Sequence, residues 1–282
     1  MDLCVLASGS GGNCSVVRTT DDVFLVDCGI GPRITARRLD GTGVKLSDIR
    51  AICVTHLDRD HFNVAWMATI VANQIKVFCP ADRVHEMPRF AADARMRSLV
   101  VPFTPEPFEL VPGVVAATFR LAHDRTGSHA FHFTGSGGSI GYATDLGHVP
   151  AMLIERFCGV DLLAIESNYD PHMQRTSGRP LFLQQRIMGG GGHLSNAQTL
   201  KAVKELFDRC ARLGHALPGN VVLLHRSRQC NCPKLIKGLF ERDPRIAPRL
   251  VLTEQFSRTE WISAKRSQHV PWAGEQLSLQ FG

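Results

Sequence analysis

Short apolar runs alternate with glycine-rich turns along most of the chain, the pattern of many strands and a few helices in one α/β unit. β-Branched and aromatic runs predict strands over 3–7, 15–18, 23–27, 49–54, 76–79, 114–121, 129–134 and 139–143. Later runs over 161–165, 220–224 and 249–252 are short and wholly apolar, as strands buried on both faces are. Helical spacing is clearest over 64–73, 151–157 and 195–213, where Ser195 offers an N-cap oxygen and Gly214 a stop, and a shorter helix follows Pro233. No segment repeats. The apolar pattern fades beyond Arg258, so residues 1–258 are expected to form the folded domain and 259–282, with Pro271 and Gly274, a flexible tail.

The residues that end the apolar runs are chemically informative. Ile52-Cys53-Val54-Thr55 leads into His56, Thr118-Phe119-Arg120-Leu121-Ala122 into His123, Ile140-Gly141-Tyr142-Ala143-Thr144 into Asp145, and Val221-Val222-Leu223-Leu224 into His225. A polar residue at the end of a buried strand stands at the rim of its sheet, where open α/β folds assemble their sites. Any one such histidine alone is most often a hydrogen-bonded structural residue. Four segments ending in metal-ligand types point instead to a metal centre. The densest segment is His56-Leu57-Asp58-Arg59-Asp60-His61, an H-x-D-x-D-H pattern directly after a strand. Its carboxylates and imidazoles suit two divalent ions roughly 3.5–4 Å apart that share a hydroxide, which predicts hydrolysis.

The order of a strand ending in Asp27, H-x-D-x-D-H, a lone His, a lone Asp and a lone His resembles the metallo-β-lactamase fold through about Leu252. Within it the chain is most similar to the WalJ/YycJ-type hydrolases. That likeness is carried by Ala7-Ser8-Gly9-Ser10-Gly11-Gly12-Asn13, Leu25-Val26-Asp27-Cys28-Gly29, Tyr142-Ala143-Thr144-Asp145-Leu146-Gly147, Glu166-Ser167-Asn168-Tyr169-Asp170 and Gly192-His193-Leu194-Ser195-Asn196. The resemblance implies an α/β fold, an αββα sandwich of two mixed β-sheets flanked by helices. It implies that His56, Asp58 and His123 hold one metal, that Asp60, His61 and His225 hold the other, that Asp145 bridges them, and that Asp27 supports the site from behind. Family members more often carry H-x-H-x-D-H. Here Asp58 replaces the second histidine, as in the similar domains of ComEC-type DNA-uptake proteins, and a harder donor set shifts the expected ions, Mn²⁺ or Zn²⁺, towards Mn²⁺.

Two metals serve many hydrolyses, so the substrate must be read from the neighbours. Arg175, Arg179 and Arg186 precede Gly189-Gly190-Gly191-Gly192-His193, and Arg226 and Arg228 follow the last ligand; guanidinium groups match phosphate oxygens in pairs. Singly, each arginine reads as solvated surface; together they favour a phosphodiester. Gly192-His193-Leu194-Ser195 is similar to the Gly-His-Ser-Thr element of tRNA-processing members of the fold, which implies that His193 is the acid for the leaving oxygen, with Asp60 orienting the attacking hydroxide. The loop 8–13 lacks a phosphate-loop lysine and reads as a tight turn below the metals. Cys230-Asn231-Cys232, with no second cysteine pair, reads as packing.

Composition adds little more. With 44% hydrophobic and 21% charged positions in 282 residues, disorder and fibrous repeats are excluded. No apolar run spans a bilayer and the start lacks a signal-peptide pattern, so a cytoplasmic protein with no membrane partner is expected. Nine irregularly spaced cysteines fit reduced thiols. A formal charge of +6 fits an anionic partner. In the tail, Gln276, Leu277, Leu279 and Phe281 resemble the peptide by which bacterial replication and repair proteins dock on the DNA sliding clamp. The chain thus reads as a DNA nuclease. Its rivals are an RNA nuclease, a small-molecule hydrolase of phosphodiesters, thioesters or lactones, and a clamp-bound accessory protein with a degenerate site.

Overall fold

The structure, a computed structural model, describes residues 1–89 and 94–264. The first half of the chain forms β1 (Asp2–Ala7), β2 (Cys14–Arg18), β3 (Val23–Val26), α1 (Pro32–Leu39), β4 (Ile49–Cys53), α2 (Met67–Asn73), β5 (Lys76–Pro80), α3 (Ala94–Arg97) and β6 (Val100–Phe103). The second forms β7 (Phe108–Val111), β8 (Val114–Leu121), β9 (Ser128–Gly135), β10 (Gly138–Ala143), α4 (Ala151–Arg156), β11 (Leu162–Glu166), α5 (Pro171–Arg175), α6 (Leu181–Met188), α7 (Asn196–Arg212), β12 (Asn220–Leu224), α8 (Pro233–Phe240), β13 (Leu250–Leu252) and β14 (Ile262–Ser263). Two seven-stranded sheets result, ordered β14-β1-β2-β3-β4-β5-β6 and β13-β12-β11-β10-β9-β8-β7. Each begins as an antiparallel meander and continues in parallel strands, from β3 to β6 in one and from β10 to β13 in the other.

Alternation along the strands explains the layering. Leu3 and Val5 join the cluster shared by both sheets, while Cys4 and Leu6 face the opposite way into a cluster with Leu39 of α1 and Ile70 of α2. Val222 and Leu224 likewise face between the sheets, and Val221 and Leu223 face a third cluster with Leu153 of α4, Leu206 of α7 and Ile236 of α8. Strands buried on both faces therefore read as continuous apolar runs. Phe24, Phe131 and Phe133 fill the space between the sheets with ring centroids 5.2 and 5.4 Å apart. Each such side chain contributes roughly 1.5–3 kcal/mol by leaving water. The architecture is the expected αββα sandwich of two mixed sheets.

Several elements escape the apolar pattern. β6 carries Pro102 and lies at the edge of its sheet, where a missing N–H costs no ladder bond. α1 buries only Thr35 and Leu39, and the α5 and α6 region lacks an inward apolar stripe. The folded unit also runs past the expected boundary at 258. Thr259 exchanges hydrogen bonds with Val5, Arg18 stacks 4.1 Å over Trp261, and β14 pairs antiparallel with β1. Two residues of strand are too few for alternation to show. Residues 265–282, and with them Gln276, Leu277, Leu279 and Phe281, lie outside the described residues. The cysteines are free thiols, and among the described residues no helix is long and apolar enough to cross a membrane.

Candidate metal centre

Strand ends bring the sequence-selected residues together. Asp27 follows β3, Asp145 follows β10 and His225 follows β12, each with positive φ (60°, 54° and 52°), a conformation uncommon for non-glycine residues and more often adopted by Asp and His than by most. His56 and His123 stand just beyond β4 and β8, and all these strands end on one edge of the sandwich. The 56–61 loop is pinned to the strand beside it: Cys28 N–H donates to the His61 carbonyl, and Asn13 N–H to that of Asp60. Gly29 permits this approach, because a Cβ there would lie 1.8 Å from the Asp60 carbonyl oxygen. Gly147 does the same beside Gly190, whose carbonyl oxygen would meet a Cβ at 2.2 Å.

The four ligand-type histidines are oriented alike. His61 Nδ1 lies 2.7 Å from Asp27 Oδ2, and a carboxylate only accepts, so Nδ1 carries the proton. His123 Nδ1 donates to the Gly192 carbonyl (2.9 Å), and His225 Nδ1 to Glu166 Oε1 (3.0 Å) and Asp145 Oδ1 (3.1 Å). Thr55 Oγ1 gives its hydrogen to Asp27 and so accepts from His56 Nδ1 at 3.0 Å. Every Nδ1 is thus engaged, at His225 by Glu166 and by Asp145 itself, and each Nε2 is left as the acceptor; that of His61 takes the Asn13 side-chain N–H at 3.0 Å. This outer hydrogen bonding is how metal-binding imidazoles are held.

Those Nε2 atoms fit divalent ions. His225 Nε2 is buried without a hydrogen-bond partner, an orphan that a cation would satisfy. Donor atoms of Asp60, His61 and His225 lie within 4.8 Å of one another, as do those of His56, His123 and Asp145. Asp58 Oδ2 reaches 3.8 Å from His56 Nε2, and Asp58 groups with His123 and Asp124 at the rim. Electrostatics agree. Burial opposes ionisation of Asp145, yet His225 and His61 hold its carboxyl well below the usual range. Burial likewise opposes a charged His225, but Asp145, Asp60 and Glu166 push it up to about 10. Burial, then His61, drives His56 well below the ordinary imidazole value. Converging carboxylates require cations here, supplied by protons or by metal.

Beside the cluster lies a cavity of about 290 Å³ lined by Ser10, Asp124, Asn168, Arg179, Leu183, Arg186, Ile187, His193, His225 and Ser227 among others. His193 Nδ1 is 2.8 Å from Glu166 Oε1, which leaves Nε2 as its free nitrogen. Glu166 ends β11, is fully buried, and also accepts from the backbone N–H groups of Leu146 and Leu194. Sequence alone placed it in a motif without a role. It shares the strand-end signature of the ligands, which is the signal that would have found it. The roles of Thr55, Asn13 and Asn168 escape sequence for a different reason: they exist only through contacts with His56, His61 and the His225 carbonyl, to which the Asn168 amide donates at 2.7 Å.

The arginines divide. Arg179 and Arg186 line the cavity. Arg179 donates to the neutral amides of Gln229 and Gln174, and among the described residues no carboxylate pairs with it. Arg186 grips both carboxylate oxygens of Asp124. Arg175, Arg226 and Arg228 are not brought to the cavity wall: Arg175 ends α5, Arg226 approaches Glu254 at 3.7 Å, and Arg228 stacks 4.5 Å over Phe256.

One outer contact can be tested directly. Asp27 accepts from Thr55 N–H through Oδ1, so in Asp27→Asn the amide nitrogen would face His61 Nδ1 and force the proton onto Nε2. Metal affinity is expected to fall roughly 10–100-fold, read by competition with a chromogenic chelator, with the circular dichroism spectrum unchanged.

Residues 23–216 match the family described as beta-lactamase superfamily domain. The chain is 26% identical over 214 residues to exodeoxyribonuclease YycJ of Bacillus anthracis, covering 72% of this chain and 76% of that protein. It is 26% identical over 217 residues to exodeoxyribonuclease WalJ of Streptococcus pneumoniae, covering 75% and 80%. Its fold is similar to that of the metallo-beta-lactamase fold protein YhfI from Bacillus subtilis, with a TM-score of 0.64 at 14% identity over 92% of this chain and 99% of that one.

Proposed function

The chain belongs to the beta-lactamase superfamily domain family, metallo-β-lactamase-fold hydrolases whose fold implies divalent metal ions, and from that premise we propose that it is a two-metal phosphodiesterase of the WalJ/YycJ-type branch that cleaves DNA. The observation that carries this reading is the set of histidines held through Nδ1 around Asp145, next to a cavity walled by His193, Arg179 and Arg186. The two relatives named exodeoxyribonucleases support DNA over RNA.

His56, Asp58 and His123 would hold one ion and Asp60, His61 and His225 the other, with Asp145 shared between them. Bound there, the ions supply Lewis acidity towards the phosphate and acidify a water at neutral pH. The side chains do the rest. Asp60, one-third exposed and 3.8 Å from the Nε2 atoms of His61 and His225, accepts a hydrogen bond from the attacking water and aims it. Arg179 holds a phosphate oxygen, and Arg186 exchanges Asp124 for another. His193, steadied through Nδ1 by Glu166, gives a proton from Nε2 to the leaving oxygen. Asp58 makes the first site harder than a histidine would, which favours Mn²⁺ over Zn²⁺.

The test is cleavage of end-labelled single- and double-stranded DNA and RNA by protein loaded with Mn²⁺, Zn²⁺ or Mg²⁺, with Asp145→Ala as the contamination control. DNA cleavage by wild type alone, fastest with Mn²⁺, is the expected result. Hydrolysis of small phosphodiesters, thioesters or lactones with no action on polymers would overturn it in favour of a small-molecule hydrolase. We also propose that Gln276, Leu277, Leu279 and Phe281 dock on a DNA sliding clamp. Deleting 276–282 should abolish co-elution with purified clamp; equal co-elution with and without the segment would refute the docking.

A further inference from the structure

The first turn of helix α6 exposes its apolar residues and buries a polar one. Its buried position holds Gln184, 9% exposed, whose side-chain amide donates to the Arg179 carbonyl, while Leu181 and Phe182 are 74% and 71% exposed. These two neighbours are the most exposed large apolar side chains among the described residues, and folding gains nothing from holding them in water. The same helix walls the catalytic cavity with Leu183, Arg186 and Ile187. Phe182 and Arg186 are four residues apart, on one face of the helix, so the exposed ring stands one turn from a guanidinium of the cavity wall. Arg179, the other cation of that wall, lies just before the helix. A flat apolar ring beside cations, continuous with a phosphodiester site, matches one ligand chemistry: an unpaired nucleobase whose own phosphate sits in the cavity.

We propose that Phe182 is a base-stacking platform that positions a single-stranded end of the substrate, with Leu181 widening the apolar ledge. The assignment rests on the nuclease reading above and narrows it. A duplex keeps its bases stacked inside the helix, whereas a frayed or single-stranded end offers a π-face to Phe182. Arg179 and Arg186 then take the adjoining phosphate, which sets the register of the scissile bond. Phe182 acts on position and affinity and takes no part in proton transfer.

The experiment compares two single-stranded DNA oligonucleotides, one normal and one carrying tetrahydrofuran abasic residues beside the scissile bond, using the full-length, metal-loaded protein. Wild type should show a KM about tenfold higher on the abasic strand, the scale of one lost stack. Phe182→Ala should show nearly equal KM on both, close to the wild-type value for the abasic strand. Phe182→Trp should restore the difference and Phe182→Leu should not, because leucine is apolar without a π-face. A Phe182→Ala enzyme that still distinguishes the strands tenfold would overturn the proposal, as would full rescue by Phe182→Leu. So would a protein that is dimeric by light scattering as wild type and monomeric as Phe182→Ala, with KM unmoved, which would make the ledge a contact between copies. Failure of the nuclease reading looks different: wild type would then hydrolyse methyl p-nitrophenyl phosphate and leave both oligonucleotides intact.

Discussion

Asp145→Ala is expected to lower DNA cleavage by on the order of 10³-fold or more while the fold persists. Asp145 is fully buried at the end of β10, with Oδ2 3.0 Å from His61 Nε2 and Oδ1 3.1 Å from His225 Nδ1. Among the described residues it is the one carboxylate that reaches histidines of both proposed sites, since His123 Nε2 is also 3.9 Å away. In the tautomer set by Asp27, His61 Nε2 and Asp145 Oδ2 are both acceptors, so a cation or a shared proton must lie at their approach. Without the carboxylate, bound metal should fall from two ions per chain to one or fewer, measured by inductively coupled plasma mass spectrometry. Asp145→Asn keeps the shape and guards against misfolding. Full activity in a well-folded Asn variant with two ions bound would sink the assignment.

The second large effect falls on His193. Its replacement by Ala should lower kcat on DNA by about 10²–10⁴-fold and leave metal content unchanged. The imidazole lies beside the ligand cluster, its ring centroid 5.0 Å from those of both His123 and His225, and Glu166 occupies its Nδ1. An acid matters only when the leaving group is poor. On thymidine 5′-p-nitrophenyl phosphate, whose nitrophenolate leaves without a proton, the His193→Ala loss should shrink to about tenfold or less. Equal losses on the two substrates would assign His193 to positioning. Glu166→Gln should follow His193→Ala in that substrate dependence; because Glu166 also meets His225 Nδ1, it should weaken metal binding as well.

How much of this was legible in the sequence differs by element. β1, β4 and β12 were readable because strands buried on both faces read as nearly continuous apolar runs, and α7 because Ser195 caps it and an apolar stripe runs from Ala202 to Cys210. β14 was not, since its place is set by pairing with β1 across the whole chain length. The ligand-type residues could be chosen because His56, His123, Asp145 and His225 each end an apolar run and Asp58, Asp60 and His61 crowd into the six residues that follow one. The arginines could not be sorted: a guanidinium's neighbours depend on loops such as 189–193, and only folding shows Arg186 held by Asp124 at the cavity while Arg228 lies over Phe256.

By itself the sequence determined most of the strands, the strand-end residues and the dense H-x-D-x-D-H set, because burial and ligand chemistry are local properties of residue type. The tertiary structure alone decided which imidazole nitrogen is engaged by Asp27, Thr55, Gly192 or Glu166, which cations wall the cavity, and that α6 turns Phe182 to solvent beside it. Those are matters of direction between segments far apart in the chain, and direction is settled only when the sheets pack.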